Sequence, residues 1–310
     1  MANLRDIQRR INSVRSTMQI TRTMEMVSTA KIRSALERAQ QASPYKEALT
    51  RMLANVTGSA STVAGQPLLM THMEEKHVLF VLVASDRGLA GGFNVVPQRE
   101  VAARMRVLGE QGIESSIITC GRKPTEFFKY RDIEPVLSFE GSSSDPTMDQ
   151  ADRIASYIMD AYATGEVDRV MLFYHHAKNR VEQVQVVEQV LPISKDELKI
   201  PTTPREAKEG LQSIEPVDPH LTTSEFEFEP SATEVLGYLI PAYIRTVVYH
   251  ALLDSAAAEH AARRAAMQSA TDNAKEVITS LNRTYNRERQ GSITTELNEI
   301  IAGASALEDK

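Results

Sequence analysis

The sequence predicts an α/β fold with long helical arms. In it an antiparallel coiled coil of the N- and C-terminal helices carries an inserted Rossmann-like, mostly parallel α/β domain. Three observations predict it. Apolar residues recur in the first arm at the coiled-coil spacing of about 3.5 residues. The last 80 or so residues read as one alanine-rich helix. Between the arms, short apolar runs alternate with amphipathic stretches, the order expected of strands and covering helices. The domains expected are residues 1–57, a first arm; 58–230, an inserted domain; and 231–310, a second arm.

In the first arm the stripe is Leu4, Ile7, Ile11, Val14 and Met18. The same frame passes through Thr21, Glu25 and Ser28 and turns apolar again at Ile32, Ala35 and Ala39. Ile20, Met24 and Val27 offer a competing apolar track, so a register shift is the alternative. Pro44 removes a backbone donor and disfavours helix at Ser43, which predicts a kink or a restart with Ser43 as N-cap. Residues 58–76 read as a linker.

The run from His77 to Ala84 is apolar throughout, as a strand buried on both faces would be. A glycine-rich turn over 85–94 follows, then a helix from about Val95 to Gln111. Further strands are expected at Ser115–Cys120, Glu134–Ser138 and Val170–Tyr174, with helices at Pro124–Tyr130 and Asp149–Thr164. Alternation over Arg180–Leu191 predicts an edge or antiparallel strand. Residues 192–230 are rich in proline and acids and read as a surface segment, with one strand at Ser224–Phe228. Ser231 and Glu234 form a capping box that opens the last helix, which Pro241 is expected to bend.

Length sets a mechanical expectation. At 1.5 Å per residue the arms are roughly 80 and 115 Å long. Paired antiparallel from a common root, they set residue 24 opposite about 264. The second arm then projects beyond the first by about 23 residues, roughly 35 Å. That tip, 285–307, carries Ile293, Leu297, Ile300, Ile301, Ala304 and Leu307. An apolar face on a lone helix is not stable in water and implies a socket.

Several function classes are disfavoured by composition. The 310 residues are 42% hydrophobic and 25% charged, with net charge −6 and no Trp. No global basic field recruits nucleic acid, and the basic first arm lacks aromatic stacking partners. The single Cys120 excludes an intrachain disulfide and reads as a small core residue. No signal-peptide pattern opens the chain, and no window suggests a membrane span. The glycines at 88, 91 and 92 match neither a dinucleotide fingerprint nor a P-loop. His175-His176 lacks a third ligand at metal spacing, and no nucleophile–base–acid set is present. No cofactor is expected.

Four motifs then carry a resemblance. They are Ile20–Ser28; Ser85-Asp86-Arg87-Gly88-Leu89 with Gly91–Asn94; Glu259–Arg263 with Ala266-Met267; and Tyr285–Gln290 followed by Ile293–Leu297. In this order they resemble the gamma subunit family of F-type ATP synthase, across both arms and most of the middle. The resemblance implies a central rotor that is no enzyme on its own. It implies that the paired helices insert among three alpha and three beta subunits, and that the α/β foot meets the epsilon subunit and the membrane c-ring. Catalysis would lie on beta, and attachment to the cytoplasmic face of a bacterial plasma membrane would be peripheral. By position, it implies that Met24, Arg263 and Gln290 meet a catch loop on beta and that Thr294, Thr295 and Glu296 meet beta higher up. Ile293, Leu297, Ile300, Ile301 and Leu307 would turn in an apolar sleeve. Three departures from the family pattern are Ala90 for cysteine, Arg264 for methionine and Gly291 for alanine. The rival from another class is a coiled-coil adaptor with a regulatory nucleotide-binding domain.

Overall fold

The computed structural model describes residues 4–57, 66–141, 143–193, 229 and 231–308. The strand expected at Ser224–Phe228, and nearly all of the proline-rich segment, lie outside them. The elements are α1 (Leu4–Thr57), β1 (His77–Val83), α2 (Val95–Glu110), β2 (Glu114–Cys120), α3 (Arg122–Lys129), β3 (Leu137–Phe139), α4 (Met148–Ala163), β4 (Arg169–Ala177), β5 (Gln183–Leu191) and α5 (Ala232–Glu308). Two compact units result: residues 1–28 with 264–310, and residues 29–263. Both α1 and α5 contribute to each unit.

In the larger unit a five-stranded sheet runs in the order β3-β2-β1-β4-β5. β1 pairs in parallel with β2 and β4, and β2 with β3; β5 alone is antiparallel, on β4. Every residue of β1 after His77 is buried, because helices cover both faces of the sheet. On one face Val101, Met105 and Phe128, from α2 and α3, pack on Phe80, Leu82, Ile117 and Phe173. On the other face α4 joins the inner stretches of the two long helices. Leu49, Leu53 and Val56 of α1 and Leu236, Ile240 and Ile244 of α5 share one core with Ile154, Ile158 and Tyr162. These stretches of the long helices are core elements of the α/β unit.

That packing explains Pro44. No restart occurs there: α1 runs through it without a break. The Ser43 hydroxyl donates back to the Ala39 carbonyl at 3.1 Å and lies 3.2 Å from His250 Nε2. A helix-interior proline costs about 3 kcal/mol. The three buried side chains of the next turns, each worth about 1.5–3 kcal/mol, exceed that. At the start of α5 the capping residues behave as their types require, the Glu234 N–H donating to Ser231 Oγ at 3.3 Å.

Every residue from Ala251 to Arg263 is buried. A helix packed all round needs small side chains where neighbours approach, and this stretch is dense in alanine. Its composition departs from the sequence expectation in one respect. An 18-residue window within Thr233–Ala302 reaches a mean hydropathy of 1.2, apolar enough for a membrane span. Half of that window is buried in the chain's own core, which accounts for its apolarity without lipid.

In the smaller unit the frame read from the sequence holds through its polar stretch. Ile7, Ile11, Thr21 and Ser28 are buried, whereas Ile20 and Val27 of the competing track are 61% and 52% exposed. Thr21 Oγ1 and Thr271 Oγ1 lie 2.8 Å apart across the seam. This contact sets residue 24 opposite about 268, one turn further along α5 than matched lengths predict. On α5 the seam residues Met267, Thr271, Ala274, Ile278, Leu281, Tyr285 and Glu288 are buried or half-buried, alternating steps of four and three.

Candidate functional site: an uncovered helix end and a clasped turn

The seam stops at Glu288. From Arg289 to Ala302 every residue of α5 is exposed. Ile293, Leu297, Ile300 and Ile301 are each more than half exposed, and their spacing places them along one side of the helix. The side chain of Leu307 lies outside the described residues. Gln290, Thr294, Thr295 and Glu296 lie in the same exposed stretch, the Thr294 hydroxyl donating to the Gln290 carbonyl at 2.9 Å. Met24 is half-buried beside the seam. The smaller unit therefore holds every expected contact residue except Arg263, which belongs to the larger one.

Arg263 is buried, with its charge answered inside the chain. Nη1 lies 2.7 Å from Glu259 Oε1, one turn back on α5. Nη2 reaches the Gly88 carbonyl at 3.4 Å and the Arg87 carbonyl at 3.5 Å. Burial holds the Glu259 carboxyl above its ordinary range, with Arg263 pulling against it.

The turn between β1 and α2 is built from the same neighbourhood. Asn94 Oδ1 accepts from the Ser85 N–H at 2.9 Å, and its Nδ2 donates to the Arg87 carbonyl at 3.2 Å. Asp86 accepts the N–H groups of Arg122, Gly141 and Ser143 at 2.8–2.9 Å. Burial alone would raise its pKa, but these three backbone bonds hold it below the usual carboxylate range. Gly121 is required nearby: at φ +110° a Cβ would sit 2.6 Å from the Ala84 carbonyl oxygen.

Doubly wound sheets bind nucleotides where the strand order reverses, here beside the C-terminal ends of β1 and β4. In this chain that place is occupied by its own side chains. Ala90 and Phe93 of the turn pack with Ala177, with Ala35 of α1 and with Ala257, Ala258 and Ala262 of α5. Phe93 stacks on His175 at 4.4 Å between ring centroids. The filled crevice argues against the regulatory nucleotide-binding reading. Of the histidine pair, His175 stacks on Phe93 and His176 Nδ1 lies 2.6 Å from Asp254 Oδ2. Among the described residues no group of three or more potential ligands could hold a metal ion. Cys120 is buried, its thiol pushed up to about 12 by burial.

The Glu259–Arg263 pairing was not legible beforehand. Its only sequence signal is the four-residue spacing, which surface helices share. The Asp86 cradle had no signal either, because its donors come from segments far apart in sequence.

Fold and site together define a class: long N- and C-terminal helices and, between them in sequence, a doubly wound sheet whose switch point is filled by the chain's own side chains. The family model described as ATP synthase matches residues 3–307. The ATP synthase gamma chain of Chlorobaculum tepidum is 40% identical over 311 residues, covering 99% of each chain. That of Moorella thermoacetica is 39% identical over 307 residues, 99% of this chain and all of the relative. Among solved structures, the central stalk and c-ring of Tetrahymena thermophila mitochondrial ATP synthase contains a similar fold. Its TM-score is 0.58 at 23% identity, over 81% of this chain and 99% of that one. A chain of the Euglena gracilis mitochondrial enzyme gives 0.61 at 19% identity, over 98% and 94%. The chain belongs to the ATP synthase gamma chain family. Its role is that of the central rotor subunit of the F-type enzyme, which carries no catalytic site of its own.

Proposed function

We propose that the paired helices of this chain turn inside a ring of three alpha and three beta subunits while the α/β unit engages the epsilon subunit and the c-ring. Ion flow through the ring drives the rotation, and the uneven faces of the helices drive each beta subunit through its binding states. The complex holds the chain peripherally at the cytoplasmic face of a bacterial plasma membrane.

The observation that carries this reading is the apolar side of residues 289–302, which this chain leaves uncovered. A lone helix end with four exposed large aliphatic residues requires a sleeve from another polypeptide. Ile293, Leu297, Ile300, Ile301 and Leu307 form the bearing, and apolar contacts suit a turning part because they have no directional bonds to break. Met24, Gln290, Thr294, Thr295 and Glu296 supply the polar and semi-polar contacts with beta that define preferred angles.

Mixing the chain with alpha and beta subunits and assaying ATP hydrolysis tests the reading. Assembly of a complex containing this chain, with turnover that the chain alone lacks, is expected. An alpha–beta assembly that neither binds the chain nor changes its turnover in its presence contradicts it.

A further inference from the structure

Leu89 sits in the left-handed backbone region, at φ +64°, with its side chain 63% exposed. A β-carbon residue held there costs on the order of 1 kcal/mol and persists only where its surroundings enforce it. Burial does not enforce it, because the side chain faces water. The enforcing groups act on the two residues before it. The carbonyls of Arg87 and Gly88 both face the Arg263 guanidinium; the Arg87 carbonyl also accepts from the Asn94 amide and the Ser85 hydroxyl, which leaves Arg263 as the group facing the Gly88 carbonyl next to Leu89. The orientation of Arg263 is set in turn by Glu259.

We infer that Arg263 is a positioning residue, anchoring the β1–α2 turn to α5 and holding Leu89 in its left-handed conformation. The turn forms one rim of an open cleft of about 560 Å³, with Phe127 and Tyr130 of the α3 region on the other side. Arg263 thereby fixes the shape of that rim. Its route is indirect, through backbone carbonyls. Lysine is no substitute, since a single ammonium cannot face two adjacent carbonyls while keeping a planar pairing with the carboxylate. The inference stands on the α/β unit alone and goes beyond the rotor reading.

The test is amide hydrogen exchange of the full chain at residues 86–92, in Arg263→Gln, Arg263→Lys, Leu89→Gly and the Arg263→Gln/Leu89→Gly pair. Exchange in this segment is expected to rise about tenfold in Arg263→Gln and to stay raised in Arg263→Lys. In the double variant it returns toward the wild-type rate, because glycine takes the left-handed conformation without enforcement. A buried ion pair with only a structural role would show no such rescue. Unchanged exchange in Arg263→Gln overturns the inference, and so does raised exchange that Leu89→Gly fails to reverse. Glu259→Gln serves as a second route if Arg263→Gln does not fold, with the same expected rise and rescue.

Discussion

At the scale of single residues, side chains of one type behave differently according to what surrounds them. Burial lowers His175, His250 and His260 to about 4, with the nearby Lys46 adding to the effect at His250 and Arg263 at His260. His176 moves the other way, raised chiefly by its hydrogen bond to Asp254. The three lowered histidines are neutral in the fold but take up protons on unfolding once the pH is below about 6.5. Their contribution is intact above that value and is lost as the pH falls toward 4, each by about 1.4 kcal/mol per pH unit. The His176–Asp254 pair has the opposite sign: its contribution is full below about 6.5 and is lost as the pH rises through its raised value. Thermal unfolding of the chain at pH 7 and pH 5 should therefore show a lower midpoint at pH 5. His260→Asn should flatten the dependence, and an equal slope in that variant would refute its part.

Thr21 and Thr271 give a second residue-scale prediction. Each hydroxyl also lies within reach of a carbonyl of its own helix, Met18 at 3.1 Å and Met267 at 2.8 Å, so that one of the two protons crosses the seam and the other serves its own helix. Thr21→Val alone removes the bond across the seam and should cost about 1 kcal/mol. Thr21→Val with Thr271→Val should be near neutral or stabilising, since two methyl groups then meet where two hydroxyls did. A double-mutant cycle by urea unfolding measures this, and additive costs would show that the hydroxyl pair makes no joint contribution.

At the scale of elements, periodicity was the most readable signal. The strands, the helices of the α/β unit and the seam frame all follow from the spacing of apolar residues. The frame held at Thr21 and Ser28 because small polar residues can be buried in a seam when they bond to each other or to the backbone. The restart expected at Pro44 does not occur, because burial of the following turns outweighs the local rule. The register was off by one turn because matched lengths ignore which side chains meet, and the threonine pair decides that. Gly291 belongs to this scale as well. It lies in the exposed stretch of α5, and a β-carbon added there would have no neighbour within 4 Å, so alanine fits without a clash. Gly291→Ala should stabilise the helix there by about 1 kcal/mol, read as slower amide exchange over residues 288–296. Unchanged exchange would mean that packing, not propensity, already holds this stretch.

At the scale of the whole molecule, the inserted domain was legible as a class, and its closed crevice was not. The glycine-rich turn looks open to phosphate in one dimension, and only the fold brings Ala35, Ala177 and Ala257 to the same place. The uncovered end of α5 was legible because a difference in helix length survives without any knowledge of contacts. It also makes a claim about assembly. Ending the chain before Ile300 removes two exposed isoleucines, each worth about 1.5–3 kcal/mol if fully buried by a partner. The truncated chain should bind an alpha–beta ring at least tenfold more weakly, while its own unfolding is unchanged. Equal affinity would show that this end is not seated in a sleeve.

The most direct measurement uses the inertness of Cys120, whose buried thiol leaves an introduced cysteine as the only reactive one. Val181, 65% exposed on the α/β unit, is a suitable position for it. In complexes held to a surface through their beta subunits, a probe on Val181→Cys should revolve in one direction when ATP is supplied and stop when ATP is withdrawn. A probe that stays fixed, or wanders without direction, while the same complexes hydrolyse ATP would contradict a rotor.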